Sequence, residues 1–281
     1  MLLSSVTLTI FTLFAKFSTG NTPYFLLIFL RFIIPFILVL PYLLWRTNLK
    51  ELFITGNLKI HLLRCLSILI YQYAIFYYLM QSTLLNATVL QNTAPLFLPI
   101  LEWLFFKYRF NAKVWISIIV SFIGVLCILQ PNQNIFAQLS IAGILAPLGQ
   151  AGSQVFFGHQ ARNENRKTFL FYLYGLTALV SGVIYLFSGE FLGDHTLKNY
   201  PLTAWINVLI LGIVSIFNQH FRRIAYLHGK PSALSPFLYC SLIFSAILDW
   251  AIYGYLPNAL SIVGAVLVIA GGVIQIYKKK S

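Results

Sequence analysis

Thr88, Gln91, Asn92, Pro95, Pro99 and Glu102 could do chemistry together. At about 100° per residue in a helix, they fall within roughly ±60° of one direction. They form a polar, kink-prone stripe in an otherwise apolar stretch, 84–106. Such a stripe can bind a polar solute through several hydrogen bonds. Uncompensated amides in hydrocarbon are costly, and a proline frees a carbonyl that must be satisfied elsewhere. The face should therefore line a cavity or meet another helix. The plain alternative is polar glue between packed helices.

Part of the stripe recurs at an offset of 147. Ser235, Tyr239 and Asp249 stand where Thr88, Asn92 and Glu102 stand. In the same register Gln72 maps to Gln219, Glu102-Trp103 to Asp249-Trp250, Tyr108 to Tyr255 and Gly124 to Gly271. Further polar residues inside apolar stretches are Tyr71 and Gln72, Gln150 and Gln154, and Asn218 and Gln219. With the stripe they make a candidate substrate cavity. Ionisable residues within spans are expensive and usually functional. Arg31, Arg64, Glu102 and Asp249 are such residues, and they are candidates for gating or coupling. Asp249 is expected near Arg31 or Lys16, and Glu102 near Arg64. A structural ion pair or snorkelling to headgroups is the alternative.

The elements that must position these residues follow from composition. The chain has 281 residues, 59% hydrophobic and only 9% charged. A soluble domain carries about 25% charged residues. Apolar runs of about 20 residues span the bilayer as helix. Ten are present: 1–17, 24–45, 61–80, 84–106, 112–130, 139–159, 168–188, 203–223, 232–253 and 258–277. The expected fold class is an all-α integral membrane protein of ten transmembrane helices.

Sixteen of the nineteen Lys and Arg residues fall in five clusters, one after every second span. The clusters are Arg46 to Arg64, Lys107 to Lys113, Arg162 to Lys167, Arg222 to Lys230, and the tail Lys278 to Lys280. Cationic loops stay in the cytoplasm. The pattern places both termini there and the loops 18–23, 81–83, 131–138, 189–202 and 254–257 outside. It also assigns the formal charge of +13 to topology and anionic headgroups rather than to nucleic acid. Cys65, Cys127 and Cys240 lie in three different spans with no metal spacing. No cofactor is expected. No basic region precedes the first span, so no cleavable signal is expected.

The 147 register divides the chain into 1–130, 138–277 and a cytoplasmic tail, 278–281. Five helices per half is an odd number, so the halves face opposite ways. Inverted repeats of this kind are a transporter architecture with the site near the midplane.

Several segments carry a family resemblance: Arg31-Phe32, Tyr71–Gln81, Thr83–Pro95, Pro236–Pro257 and the closing IVGAVLVIAGGVI. With these the chain resembles the drug/metabolite transporter superfamily, EamA-type branch, over nearly its whole length. The resemblance implies an inner-membrane carrier that moves small metabolites through a central cavity between the halves. Its members handle amino acids, nucleotide-like metabolites such as S-adenosylmethionine, and drugs. One departure stands out. The family usually has a Gly-Glu pair just after helices 4 and 9, where this chain has Tyr108 and Tyr255.

The expected function is a secondary carrier of a small polar or amphipathic metabolite, working by alternating access. No Walker A loop is present, so a proton, an ion or a counter-substrate would drive it. The other partners expected are the lipid bilayer and, if the protein is not a monomer, a second copy in a homodimer. Two rivals remain at this point. An intramembrane enzyme would need a metal or nucleophile constellation, and no HExxH is present. A non-transporting scaffold would leave the polar stripe without a purpose.

Overall fold

A computed structural model of the chain describes residues 1–19, 23–45, 47–81, 91–130, 141–189, 202–244, 247 and 258–276. The described residues are helices and their connections. In lipid each backbone N–H and C=O must be satisfied within its own segment, which a helix does. In chain order these are α1 (Leu2–Thr19), α2 (Tyr24–Leu44), α3 (Leu49–Phe53) and α4 (Leu58–Gln81). There follow α5 (Ala94–Phe106), α6 (Ala112–Leu129), α7 (Ile141–Asn163) and α8 (Arg166–Phe187). Last come α9 (Leu202–His228), α10 (Pro231–Phe244) and α11 (Ala259–Ile276). All except the short α3 correspond to the ten expected spans. The α3 turn escapes sequence periodicity because five residues do not complete two turns.

The irregular helices carry the departures from expectation. The spans 84–106 and 232–253 are not uniform helices. Gln91 is helical, Asn92–Thr93 forms a turn, and α5 begins at Ala94, just before Pro95. The α10 segment opens as Pro231–Leu234, tightens to a 3₁₀ turn over Ser235–Tyr239 and then resumes as α-helix. Pro95 and Pro236 lack the N–H a continuous helix needs. At the 147 offset the Asn92–Thr93 turn maps to Tyr239–Cys240, where the 3₁₀ turn ends, while Pro95 maps to Leu242 rather than to Pro236. A π-helical turn, Phe171–Leu176, lies inside α8. The C-terminal ends of α7 and α9 run further than the apolar pattern, to Asn163 and His228, through last turns that carry Arg162 and His228.

Three packed pairs organise the bundle: α6 along α11, α4 along α7, and α1 along α9. The first is a close glycine contact. A Cβ added to Gly124 would lie 2.6 Å from the Gly264 carbonyl oxygen and 2.9 Å from the Val268 nitrogen. One added to Gly271 would lie 2.8 Å from the Ser117 oxygen and 2.0 Å from the Ser121 hydroxyl. Small residues allow this backbone approach, and the Ser117 hydroxyl donates to the Gly271 carbonyl at 2.5 Å. The second pair is similar, with Gly149 against the backbone of Ser67 and Tyr71. In the third pair Asn218 Nδ2 donates to the Ser4 carbonyl at 2.7 Å.

Four of the basic segments meet at one end of the bundle. Lys167 donates to the Trp45 carbonyl and to Thr47, and Thr55 donates to Glu164. Arg162 Nε donates to the Tyr226 carbonyl at 3.0 Å, and the Lys230 ammonium lies 4.0 Å above the Tyr108 ring. The largest apolar cluster sits just inside this end. It contains Ile28, Phe32, Phe157, Phe169, Tyr174 and Tyr226.

Candidate functional site

The inward-facing polar residues divide into groups. Tyr71 donates to the Gln91 side-chain oxygen at 3.3 Å, linking α4 to the residue just before the Asn92–Thr93 turn. Arg31 on α2 donates to Gln72 on α4 at 2.9 Å, and its guanidinium lies 4.3 Å over the Phe11 ring. Gln154 on α7 accepts from the Tyr226 hydroxyl on α9 at 3.3 Å. Gln150, one turn before Gln154, and Gln219 each hold a buried side-chain oxygen that has no hydrogen-bond partner among the described residues. Asn92 sits half-buried in the turn that leads into α5.

Other sequence candidates have structural partners. Asn218 ties α9 to α1. The Ser235 hydroxyl donates to the Ser232 carbonyl within α10. Tyr239 is fully buried with Val125 and Val268, between α6 and α11, and its hydroxyl has no hydrogen-bond partner among the described residues. Thr88 and Asp249 lie outside the described residues.

The expected Glu102–Arg64 ion pair is not formed. Glu102, 1% exposed, accepts from the Ser232 hydroxyl at 2.6 Å and from the Ser232 backbone N–H at 3.3 Å. Arg64, 4% exposed, donates to the Gln160 side-chain oxygen at 2.8 Å. Its guanidinium lies 4.2 Å above Phe157 and 4.5 Å above Phe169. The guanidinium is flat and weakly hydrated, and it stacks on rings readily. Helix spacing cannot reveal this choice of partner, because Gln160 lies 96 residues away.

A network continues from there. Gln160 Nε2 donates to His61 Nδ1 at 2.9 Å, so the His61 proton sits on Nε2. That nitrogen faces Glu164 Oε1 at 3.5 Å. Glu164 also accepts from Thr55 at 2.6 Å, and Tyr172 stacks on the His61 ring. Beside it a cleft of about 210 Å³ is lined by Gly56, Asn57, Ile60, His159, Gln160, Asn163 and Glu164.

Sequence reasoning missed the centre of the site. Tyr174, on the π turn of α8, is within electrostatic reach of Arg31, Arg64 and Arg222, and its hydroxyl lies 3.3 Å from the Ser215 hydroxyl. Tyr226 is within reach of Arg64, Arg222 and Glu102. Tyr71 is within reach of Arg31 and Arg222. π turns occur often at functional sites. Arg222 reads in sequence as part of a loop charge cluster, yet it lies within α9, one turn after Gln219 and one turn before Tyr226. Arginines, tyrosines and amides so arranged can bind an oxygen-rich small molecule.

Comparison with known proteins settles the family. The model of the EamA-like transporter family matches residues 1–130 and again 139–277. The chain belongs to that family. The pseudopaline exporter CntI of Pseudomonas aeruginosa is 25% identical over 99% of this chain and 95% of its own length. The S-adenosylmethionine uptake transporter of Rickettsia prowazekii is 26% identical over 99% and 92%. The riboflavin transporter of Brucella anthropi is 24% identical over 88% and 86%. A solved crystal structure superposes with a TM-score of 0.76 over 98% of this chain and 93% of its own, at 18% identity, and so shows the fold. This EamA-like chain is a multi-pass membrane transporter of small metabolites.

Proposed function

We propose that this transporter works by alternating access, with residues 1–130 and 138–277 as inverted halves around one central site. The observation that carries this reading is a pair of contacts between α6 and α11. Ser117 meets Gly271, and Gly124 meets Gly264. At the 147 offset Ser117 becomes Gly264 and Gly271 becomes Gly124, so each contact is the exchange partner of the other. The Gly124–Val268 and Gly271–Ser121 contacts exchange in the same way. The α4–α7 and α1–α9 pairs also exchange, helix for helix. A two-fold relation between the halves produces this pattern, and rocking about such an axis opens one side as it closes the other.

The central site takes Tyr71, Gln72, Gln91, Asn92, Gln150, Gln154 and Gln219 as its lining, with Arg31, Arg64 and Glu102 beside it. The protein resides in a bacterial-type cytoplasmic membrane with both termini inside, and a proton or a counter-substrate drives the cycle. The gathering of basic segments at one end of the bundle supports that orientation. The named substrates of its relatives give the first compounds to try.

Flux into proteoliposomes tests the reading. Purified protein should move at least one compound from a panel of amino acids, S-adenosylmethionine and riboflavin, with saturable kinetics. Asn92→Trp should abolish that flux while the protein still folds. A panel that moves only at the rate of empty liposomes would overturn the reading.

A further inference from the structure

We infer that the substrate carries an oxyanion, carboxylate or phosphate, bound by Arg64 and Arg222, with N–H or O–H donors turned toward Gln150 and Gln219. This rests on the transport reading above and names the substrate class of the same site.

The argument starts from charge. Arg64 is buried, yet no carboxylate among the described residues pairs with it. It leans on a neutral amide and two ring faces, and its Nε has no partner among the described residues. Arg31 is held in the same way by Gln72 and Phe11. Arg222 forms no hydrogen bond with any described residue, and its Nε is buried. A buried charge without a counter-charge is costly. Rings and amides hold the guanidinium in place but leave its charge to be met by something else.

The nearby carboxylates are already committed. Glu102 takes both Ser232 donors. Glu164 takes Thr55 and faces His61. Among the described residues, the groups around Tyr174 and Tyr226 are three arginines and one occupied carboxylate. Such a field repels a cation and attracts an anion. The guanidinium fork matches the paired oxygens of a carboxylate or phosphate.

The second half of the inference comes from the glutamines. Gln150 Oε1 and Gln219 Oε1 are buried acceptors without donors among the described residues. Gln219 is one turn from Arg222 on α9, and Gln150 is one turn from Gln154, which Tyr226 already binds. A molecule with an acid at one end and an amine or hydroxyl a few ångströms away satisfies both sets.

The test uses the full-length protein and matched pairs in which the partner has no carboxylate or phosphate: glutamate with its diamide, O-phosphoserine with serinamide, lactate with lactamide. Each compound is scored by thermal shift in detergent and by flux in phosphatidylcholine proteoliposomes. The more anionic member of at least one pair should protect and be moved, and its partner should not. Arg222→Gln, which breaks no hydrogen bond to a described residue, should weaken that binding about tenfold or more, the loss expected for one charge-assisted hydrogen bond. Gln219→Leu, which removes the acceptor offered to the amine or hydroxyl, should weaken binding of the same anion. Lys50→Gln, on the exposed α3, should change nothing.

Equal or better binding of the neutral members, or wild-type affinity in both variants, overturns the proposal. If neutral or cationic compounds are moved instead, the transport reading stands and the substrate class falls. If nothing in either panel is bound or moved, both fall. A lipid phosphate has the same chemistry. Protection by phosphatidylglycerol vesicles alone, with no soluble anion effective, makes this a lipid site and also overturns the proposal.

Discussion

Glu102 at the end of α5 accepts both the hydroxyl and the backbone N–H of Ser232 at the start of α10, at 2.6 and 3.3 Å. A carboxylate beside the first N–H groups of a helix satisfies donors that have no partner inside it and meets the positive end of the helix dipole. The residue that sequence spacing assigns to Arg64 thus caps a helix from the other half of the chain. It joins the end of α5 to the start of α10.

From this follows a stability prediction. Glu102→Leu leaves two buried Ser232 donors unpaired and should cost about 1–3 kcal/mol. Glu102→Gln keeps one acceptor and should cost less. Thermal melts of the purified variants read the difference. Equal melting temperatures for Glu102→Leu and wild type would show that Ser232 finds another acceptor.

The contact between α6 and α11 gives a second prediction. Gly124→Ala places a methyl against the Gly264 carbonyl and the Val268 nitrogen, both backbone atoms that cannot rotate away. Overpacking of this kind costs about 1–3 kcal/mol. Gly264→Ala should cost a similar amount, since its Cβ would lie 2.5 Å from the Gly124 oxygen. Gly56→Ala is the control, because its nearest neighbour would be 3.9 Å away. If all three variants melt together, the two helices do not meet as described.

Much of the architecture was legible in the sequence because it follows from hydropathy alone. Helix number rests on apolar length, and the kink-prone character of the stretch around Pro95 rests on proline spacing. The site was legible only in part. Gln72, Gln154 and Arg31 were found as polar residues in apolar spans, and each is engaged as a polar residue must be. Partner choice was not legible. Nothing local to Arg64 marks Gln160, Phe157 or Phe169 as its partners, and nothing local to Tyr174 announces a π turn. Arg222 was hidden because a cation near a helix end reads as topology whether it points to headgroups or inward. The packing of Tyr239 against Val125 and Val268 was not legible, because a stripe at helical spacing cannot distinguish a cavity from a packed seam.

Topology provides a third prediction. With Cys65, Cys127 and Cys240 replaced, Lys50→Cys on α3 should resist a membrane-impermeant thiol reagent in intact cells and react after permeabilisation. Phe187→Cys, 87% exposed at the far end of α8, should react in both. The reverse pattern would invert the orientation that the basic clusters imply.

The last prediction concerns Gln160. It is 1% exposed, and both ends of its amide are used: the oxygen accepts from Arg64 and the nitrogen donates to His61. No other side chain of that size offers an acceptor and a donor in one plane. Gln160→Met keeps the volume but strips Arg64 of its hydrogen-bond acceptor. Removing one partner of a buried charge costs about 3–5 kcal/mol, and the ring contacts from Phe157 and Phe169 should hold the loss near the lower figure. Gln160→Glu restores an acceptor and adds a counter-charge, but it removes the donor to His61 Nδ1 and sets a second carboxylate near Glu164. It should therefore recover only part of the stability, and it should recover more when His61 is replaced by Phe. The single and double variants form a cycle whose coupling is expected at about 0.5–3 kcal/mol. Strict additivity in thermal melts would mean that His61 and Gln160 act independently and that no chain runs from Arg64 to Glu164.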